Sequence, residues 1–287
     1  GKSLGMYNKI KHIHLIGIGG IGMSGLGRLL IQNGYTVTGS DLGQGESVRA
    51  LESLGVRVFQ GHDPLHVKGA ELVVYSSAVQ ADNPELSTAR KNDVLCITRG
   101  EMLAELMRIK YGIAVAGAHG KTTTTSMTGV ALAHAGLDPT VVVGGRVDNF
   151  GGTNARLGQG EFMVVEADES DGSFNRLSPS IAVITNLDRE HLEHYGSMDA
   201  LEKAFVVFAN KVPFYGLTIY CGDDPFLKRL QSQITRRKRS YGFEQHNAYQ
   251  IRNYCPTENG SSFEVHIGGD SLKLSLQVPG KHNALNA

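Results

Sequence analysis

Three cysteines, Cys96, Cys221 and Cys255, stand far apart in a chain of 287 residues. Their odd number and wide spacing exclude a disulfide framework and a cysteine-built metal site, which leaves reduced thiols in a cytoplasm. There is no excess of either charge. Lys plus Arg and Asp plus Glu number 28 each, so nothing in the balance calls for nucleic acid or an anionic membrane as partner. No apolar run approaches the ~20 residues that cross a bilayer, and no signal-peptide pattern opens the chain. Repeats and low-complexity linkers are missing too. What is present is 41% hydrophobic and 20% charged residues, suited to a globular protein of one large or two ordinary domains.

The first third alternates strand-like and helix-like stretches. Apolar runs at 13–18, 37–41, 56–61, 72–77 and 94–99 read as strands, and helical spacing at 21–33 and 47–55 falls between the first three. Such alternation predicts a parallel sheet flanked by helices, an α/β fold of Rossmann-like type. A helix near 100–110 leads to a second α/β region of P-loop type. Its strands are expected at 113–117, 140–144, 162–167, 181–186 and 217–222, with helices after Lys121 and at 198–211. From about 247 the residues alternate between turn signals, as in a small antiparallel patch. The boundary is placed near 109, giving domains 1–109 and 110–287. The stretch PGKHNALNA at the end reads as the start of a helix, as if the chain were cut there.

Two glycine loops follow strands. In HLIGIGGIGMSG, Gly17, Gly19 and Gly22 fit G-x-G-x-x-G, and Asp41 ends the next strand, where it could accept a ribose hydroxyl. Glycines there permit a tight turn and let backbone N–H groups approach a diphosphate at a helix N-terminus. The ligand could be NAD or any nucleotide with a diphosphate. In GIAVAGAHGKTTTT, Gly117, Gly120, Lys121 and Thr122 supply the parts of a triphosphate loop: backbone donors, a point charge for the outer phosphates and a hydroxyl for Mg²⁺. The glycine spacing is shorter than in the general pattern.

Acids and histidines follow two later strands. Glu166, Asp168, Glu169 and Asp171 in EADESD could hold Mg²⁺ or form a solvated acidic turn. His191 and His194, three residues apart in REHLEHY, could contribute to a magnesium or phosphate site, could pair on zinc, or could simply be surface histidines. The basic run RRKR (236–239) reads as a solvated edge.

Taken together, HIHLIGIGGIGMSG, GYTVTGSD, SSAVQADNPE, RGEMLAELM, GIAVAGAHGKTTTT, GGTNARLG, EADESDGSF, VITNLDREHLEHY and PGKHNALNA resemble the Mur ligase family, in fixed order from Lys9 to the end. The first loop sets the chain apart from the later-acting ligases of that pathway. The resemblance implies that this loop holds a UDP-sugar rather than NAD, and that the second holds ATP. It implies phosphorylation of the lactyl carboxylate of UDP-N-acetylmuramate, then attack on the acyl phosphate by the amine of L-alanine, in bacterial cytoplasmic peptidoglycan synthesis.

Residue by residue, the resemblance implies that Lys121, Glu166 and His191 are catalytic. Lys121 would steady the γ-phosphate, Thr122 and Glu166 would ligate Mg²⁺, and His191 would serve a second magnesium. Gly117, His119, Gly120, Thr123, His282, Asn283 and Asn286 would surround ATP. Gly17, Gly19, Gly20, Ile21, Gly22, Ser40, Asp41, Ser76, Ser77 and Asn83 would meet the uridine diphosphate, and Asn154 the sugar carboxylate.

Three positions depart from the family pattern. Ala118 replaces a usual threonine, Glu190 a usual aspartate, and Ala204 or Phe205 the lysine that several relatives carbamylate, with Lys203 out of register. Relatives carry a third, Rossmann-like domain after HNALNA. The expectation is a fragment that binds UDP-sugar and ligates little or nothing. The competing expectations are an NAD-dependent oxidoreductase, which leaves the second loop unexplained, and a non-catalytic nucleotide-sensing module.

Overall fold

The computed structural model describes residues 10–76, 78–108, 110–147, 153–156, 158, 160–169, 173–189 and 195–287. The chain divides into two compact units, Gly1–Leu103 with Val142–Leu157 and Ala104–Val141 with Gly158–Ala287.

In the first unit β1 (His12–Ile16), α1 (Ile21–Gln32), β2 (Thr36–Asp41), α2 (Glu46–Ser53), β3 (Arg57–Gln60), β4 (Leu72–Tyr75), α3 (Pro84–Lys91) and β5 (Leu95–Thr98) alternate, and α4 (Arg99–Met107) follows. The strands are parallel in the order β3-β2-β1-β4-β5. Central β1 is buried on both faces, with Ile13, Leu15 and Ile16 apolar and His14 a buried polar exception. Ile16, Val67, Val73, Leu86 and Ala89 form the core on one side of the sheet. The helix α3 was not foreseen. Its signal is the triplet NPE: the Asn83 side-chain oxygen accepts from the amides of Glu85 (3.0 Å) and Leu86 (3.3 Å), and Pro84 occupies the first turn, where its missing N–H costs nothing.

The later elements are β6 (Tyr111–Ala116), α5 (Lys121–His134), β7 (Thr140–Val147), β8 (Thr153–Arg156), β9 (Phe162–Glu166), α6 (Ser173–Arg176), β10 (Ile181–Ile184), α7 (Met198–Ala209), β11 (Leu217–Cys221), α8 (Pro225–Leu230), β12 (Lys238–Gly242), β13 (Tyr249–Thr257), β14 (Gly260–Ile267), β15 (Asp270–Leu276) and α9 (Lys281–Asn286). Residues 142–157, with most of β7 and all of β8, belong to the first unit, where β8 lies against α1.

Within the second unit the strand order is β15-β14-β13-β12-β11-β10-β6-β9. It is parallel from β9 to β13 and antiparallel from β13 to β15, so the expected patch is a meander at one edge. Phe174, Phe205 and Phe208 are fully buried together, with Phe174 4.6 Å from Phe208 and 5.0 Å from Phe205 between ring centroids. Phe205 is therefore a core residue of α7, and Lys203 is exposed. The RRKR run ends inside β12, whose first residues are Lys238 and Arg239. The helix α9 starts at Lys281 as PGKHNALNA predicts. Among the described residues no helix is long and apolar enough to cross a membrane.

Candidate functional site

The first loop is built by the ends of β1 and β2. The amides of Gly17 and Ile18 donate to the Ser40 carbonyl at 2.8 and 3.0 Å, and the Gly20 amide turns back to the Gly17 carbonyl at 3.1 Å. Asp41 Oδ2 accepts from the Gly19 amide and Oδ1 from the Gly43 amide, both at 2.9 Å. Asp41 thus shapes the loop through its backbone. The strand order reverses between β1 and β4, the crevice where open α/β sheets receive ligands beyond the carboxyl ends of their strands. Ser76 stands there after β4, with its Oγ 3.8 Å from where a Cβ on Gly17 would lie.

The structure brings one further residue to this loop. A Cβ on Gly22 would meet Arg99 Nη1 at 2.8 Å and its Cζ and Nε at 2.9 Å. The guanidinium therefore lies over the first turn of α1, where an anion is favoured. Only the position of Arg99, just past the end of β5, signalled this in sequence. Ser77 and the side chains of Ile21 and Asn154 lie outside the described residues; Asn154 itself stands in β8, beside α1.

Beneath the loop sits a buried acid. Glu85, with no exposed surface, accepts from His14 Nε2 at 2.5 Å, His62 Nδ1 at 3.0 Å and His66 Nδ1 at 3.2 Å. His62 Nδ1 is also 3.0 Å from Ser40 Oγ, and His66 stacks on Phe59 with centroids 4.2 Å apart. Burial by itself raises the Glu85 carboxyl, but hydrogen bonds from His14, Ser40 and His66 outweigh it and push it down to about 2. Of the predicted uridine-diphosphate residues, Ser40 is joined to this cluster and Asn83 caps the helix that carries Glu85.

The second loop lies in the second unit, at the carboxyl ends of β6, β9 and β10. Register pairs Val115 with Glu166 and Ala116 with Ile184, so Gly117 reaches Thr185 and Glu166 stands one strand away. The loop is braced from the end of β10. His119 O accepts from Thr185 Oγ1 at 2.8 Å and Asn186 Nδ2 at 2.9 Å, the His119 amide donates to Asn186 Oδ1 at 2.8 Å, and the Ala118 amide to the Asn186 carbonyl at 3.1 Å. Where the family has threonine, Ala118 therefore still engages its backbone. The His119 ring turns to Asp188, with Nε2 2.9 Å from Oδ2.

Gly120 caps α5 at φ +81, and a Cβ there would sit 2.5 Å from Asn286 Oδ1. Asn286 in turn accepts from Thr124 Oγ1 at 3.3 Å. The first turn of α5 carries no acid, so its amides and Lys121 present an anion-attracting end. Thr122 Oγ1 donates to Glu166 Oε1 at 3.0 Å, and Lys121 Nζ donates to Glu169 Oε2 at 2.9 Å with Asp168 Oδ1 at 3.9 Å. A hydroxyl against a carboxylate is a hard-oxygen pair of the kind Mg²⁺ takes alongside phosphate oxygens, so these residues fit that ion. His191 and Asp171 lie outside the described residues. Among the described residues no three His, Cys, Asp or Glu side chains converge as a metal site.

Beside the loop opens a cleft of about 520 Å³ lined by His119, Gly120, Thr123, His282, Asn283 and Asn286, with Cys221, Asp224 and Tyr241 at its far side. Six of the residues predicted around ATP thus line one cleft, while Gly117 is not part of its lining. The acids of CGDDP were not foreseen. Asp223 accepts from the Phe243 and Glu244 amides at 2.6 and 3.0 Å, and Asp224 accepts from Leu187 N at 3.1 Å and caps α8 at Leu227 N, 2.9 Å. Both fix the cleft wall. Burial pushes the Cys221 thiol up to about 11, which keeps it protonated and unreactive at neutral pH.

Both regions of the chain resemble known proteins. Residues 12–111 match the Mur ligase family catalytic domain and residues 115–287 the Mur ligase middle domain. The chain is 50% identical over 283 residues to UDP-N-acetylmuramate–L-alanine ligases of Syntrophotalea carbinolica and Solibacter usitatus, covering 98% of this chain and 62% and 60% of theirs. Among solved structures it is similar to UDP-N-acetylmuramate-alanine ligase from Thermotoga maritima, at 32% identity and TM-score 0.81, covering 97% of this chain and 63% of that one. It is also similar to UDP-N-acetylmuramate:L-alanyl-gamma-D-glutamyl-meso-diaminopimelate ligase from Neisseria meningitides, at 29% identity and TM-score 0.84, over 97% and 91% of the two chains. The chain spans about 60% of the length of the curated relatives it matches.

Proposed function

Because the chain belongs to the Mur ligase family, we propose that it is part of an ATP-dependent ligase joining L-alanine to the lactyl carboxylate of UDP-N-acetylmuramate. Residues 1–109 take the UDP-sugar and 110–287 take ATP. The observation that carries the reading is the start of α5, where Lys121 and Thr122 face two acids of one strand end beside a cleft of nucleotide size.

In this reading the diphosphate rests on the amides of Gly17 to Gly22 with Arg99 nearby, and ATP phosphates rest on the amides that open α5. The lactyl carboxylate oxygen attacks the γ-phosphorus and ADP leaves. The alanine amine then attacks the acyl phosphate, and inorganic phosphate and a proton leave. Each anion approaches another, so cationic and backbone donors fixed in advance do most of the work. Lys121 neutralises the transferring phosphoryl group; Thr122 and Glu166 would hold Mg²⁺, and His191 would serve a second ion. When bound, the metal would screen the phosphate charge. His282, Asn283 and Asn286 line the nucleotide cleft. The protein works in the bacterial cytoplasm, on a peptidoglycan precursor.

The test is titration calorimetry with UDP-N-acetylmuramate, using NAD as control, followed by phosphate release with ATP and L-alanine. The reading expects saturable binding of the UDP-sugar, none of NAD, and little turnover from this stretch alone. NAD binding in place of the UDP-sugar would overturn it.

A further inference from the structure

The sequence motif EADE carries two glutamates three apart, and the proposed function uses only Glu166. Glu169 is 1% exposed, and its Oε2 receives Lys121 Nζ at 2.9 Å. Its backbone is fixed as well, because the Tyr195 hydroxyl donates to the Glu169 carbonyl at 3.0 Å. Consecutive residues at the start of α5 are thus matched to two acids of one strand end: Thr122 to Glu166 and Lys121 to Glu169.

A buried carboxylate beside the triphosphate lysine acts in two opposed ways. It compensates the charge of a lysine whose side chain is only 14% exposed and fixes that flexible four-carbon side chain in the loop. The same negative charge repels phosphate oxygens that approach Lys121, by a Coulomb term that is large away from water. We infer that Glu169 is a positioning residue for Lys121: it holds the ammonium in place through an ion pair with which the terminal phosphate of a nucleoside triphosphate must compete. Glu169 touches no reacting atom in this scheme. It orients Lys121 at the expense of triphosphate affinity, and so discriminates by the terminal phosphate. The inference rests on the ATP reading of the second loop.

The experiment compares wild type, Glu169→Gln and Glu169→Asp by titration with magnesium AMP-PNP and magnesium ADP. The expected result is that Glu169→Gln binds AMP-PNP about tenfold more tightly, the scale of one charge-assisted contact, while ADP affinity changes less than about twofold. Glu169→Asp withdraws the carboxylate by one methylene and should tighten AMP-PNP by a smaller factor, again with ADP little changed. A residue that merely braced the fold would weaken both nucleotides in both variants, and that outcome overturns the inference. If wild type binds nucleotide and neither variant favours AMP-PNP, the inference falls while the ATP reading stands. If wild type binds neither nucleotide, both fall. Should Glu169→Gln fail to fold, the AMP-PNP to ADP ratio of Glu169→Asp decides alone.

Discussion

The carboxylate of Asp41 fills the space beside Gly19: a Cβ added to Gly19 would lie 2.9 Å from both Cγ and Oδ2 of Asp41 and 3.0 Å from Val48 Cγ2. The glycine is needed because the acid that shapes the loop stands against its backbone. Gly19→Ala must therefore shift either Asp41 or the loop amides. Affinity for UDP-N-acetylmuramate is expected to fall by about tenfold or more, the cost of about one displaced charge-assisted hydrogen bond, with AMP-PNP affinity unchanged. Calorimetry with each ligand in turn checks this; an undiminished response to the UDP-sugar would place its diphosphate elsewhere.

Glu85 predicts an acid-sensitive first unit. Its carboxyl is held at about 2, below the ordinary carboxylate value of about 4.3, so the native state favours its ionised form. The contribution to stability is then fully present above about pH 4.5 and is lost as pH falls towards 2. Glu85→Gln should cost about 3 kcal/mol at pH 7, since it strips three histidines of one buried anion. Its urea midpoint should also vary less with pH between about 4.5 and 2. Denaturation series over that range test both effects, and an unchanged acid slope in the variant would remove Glu85 as the source.

Much of this architecture was legible in the residues, for physical reasons that differ by element. The βαβ alternation of the first unit shows because buried parallel strands are largely apolar runs, as at Leu72 to Tyr75. Both glycine loops show because glycine spacing directly after an apolar strand can be read from the residues alone. The short helices α3 and α8 were missed, although Asn83-Pro84 and Asp224-Pro225 are both a cap followed by proline; their few turns carry too little periodicity to register. The Glu85 cluster could not be read, since His14 on β1, His62 and His66 in the turn after β3, and Glu85 on α3 come from three separate segments that only tertiary packing brings together. Asp41 stands at the strand end as its spacing predicts, and its bonds to the Gly19 and Gly43 amides were not foreseen, because spacing shows where a side chain stands but not which backbone donors reach it.

Gly120 predicts a steric and a conformational failure at one atom. At φ +81 an alanine is strained, and its Cβ would be 2.5 Å from Asn286 Oδ1. Gly120→Ala should destabilise the second unit by about 1–2 kcal/mol. It should also displace α9 from the loop and weaken AMP-PNP by about tenfold or more. Asn286→Ala relieves the clash, so the double variant should recover part of the lost stability but not the lost affinity. Thermal unfolding and nucleotide titration of the three variants separate the two effects; a double variant no more stable than Gly120→Ala would show that backbone strain alone is responsible.

Lys121 should matter for folding as well as for phosphate. Its ammonium faces a carboxylate that is 2% exposed, so Lys121→Met leaves Glu169 without that ion-pair partner in a place where charge is poorly solvated. Breaking such a pair from one side costs more than removing both partners, because the orphaned charge keeps its desolvation penalty. Lys121→Met is expected to lower stability by about 2 kcal/mol, and Lys121→Met with Glu169→Gln by less, despite the second substitution. Nucleotide binding follows a different logic: the double variant cannot regain the charge that Lys121 offers to phosphate and should bind AMP-PNP more weakly than wild type, but more tightly than Lys121→Met, which keeps the repelling Glu169 carboxylate. A double-mutant cycle in urea unfolding measures the coupling, and additive losses would mean that the two side chains meet without supporting one another.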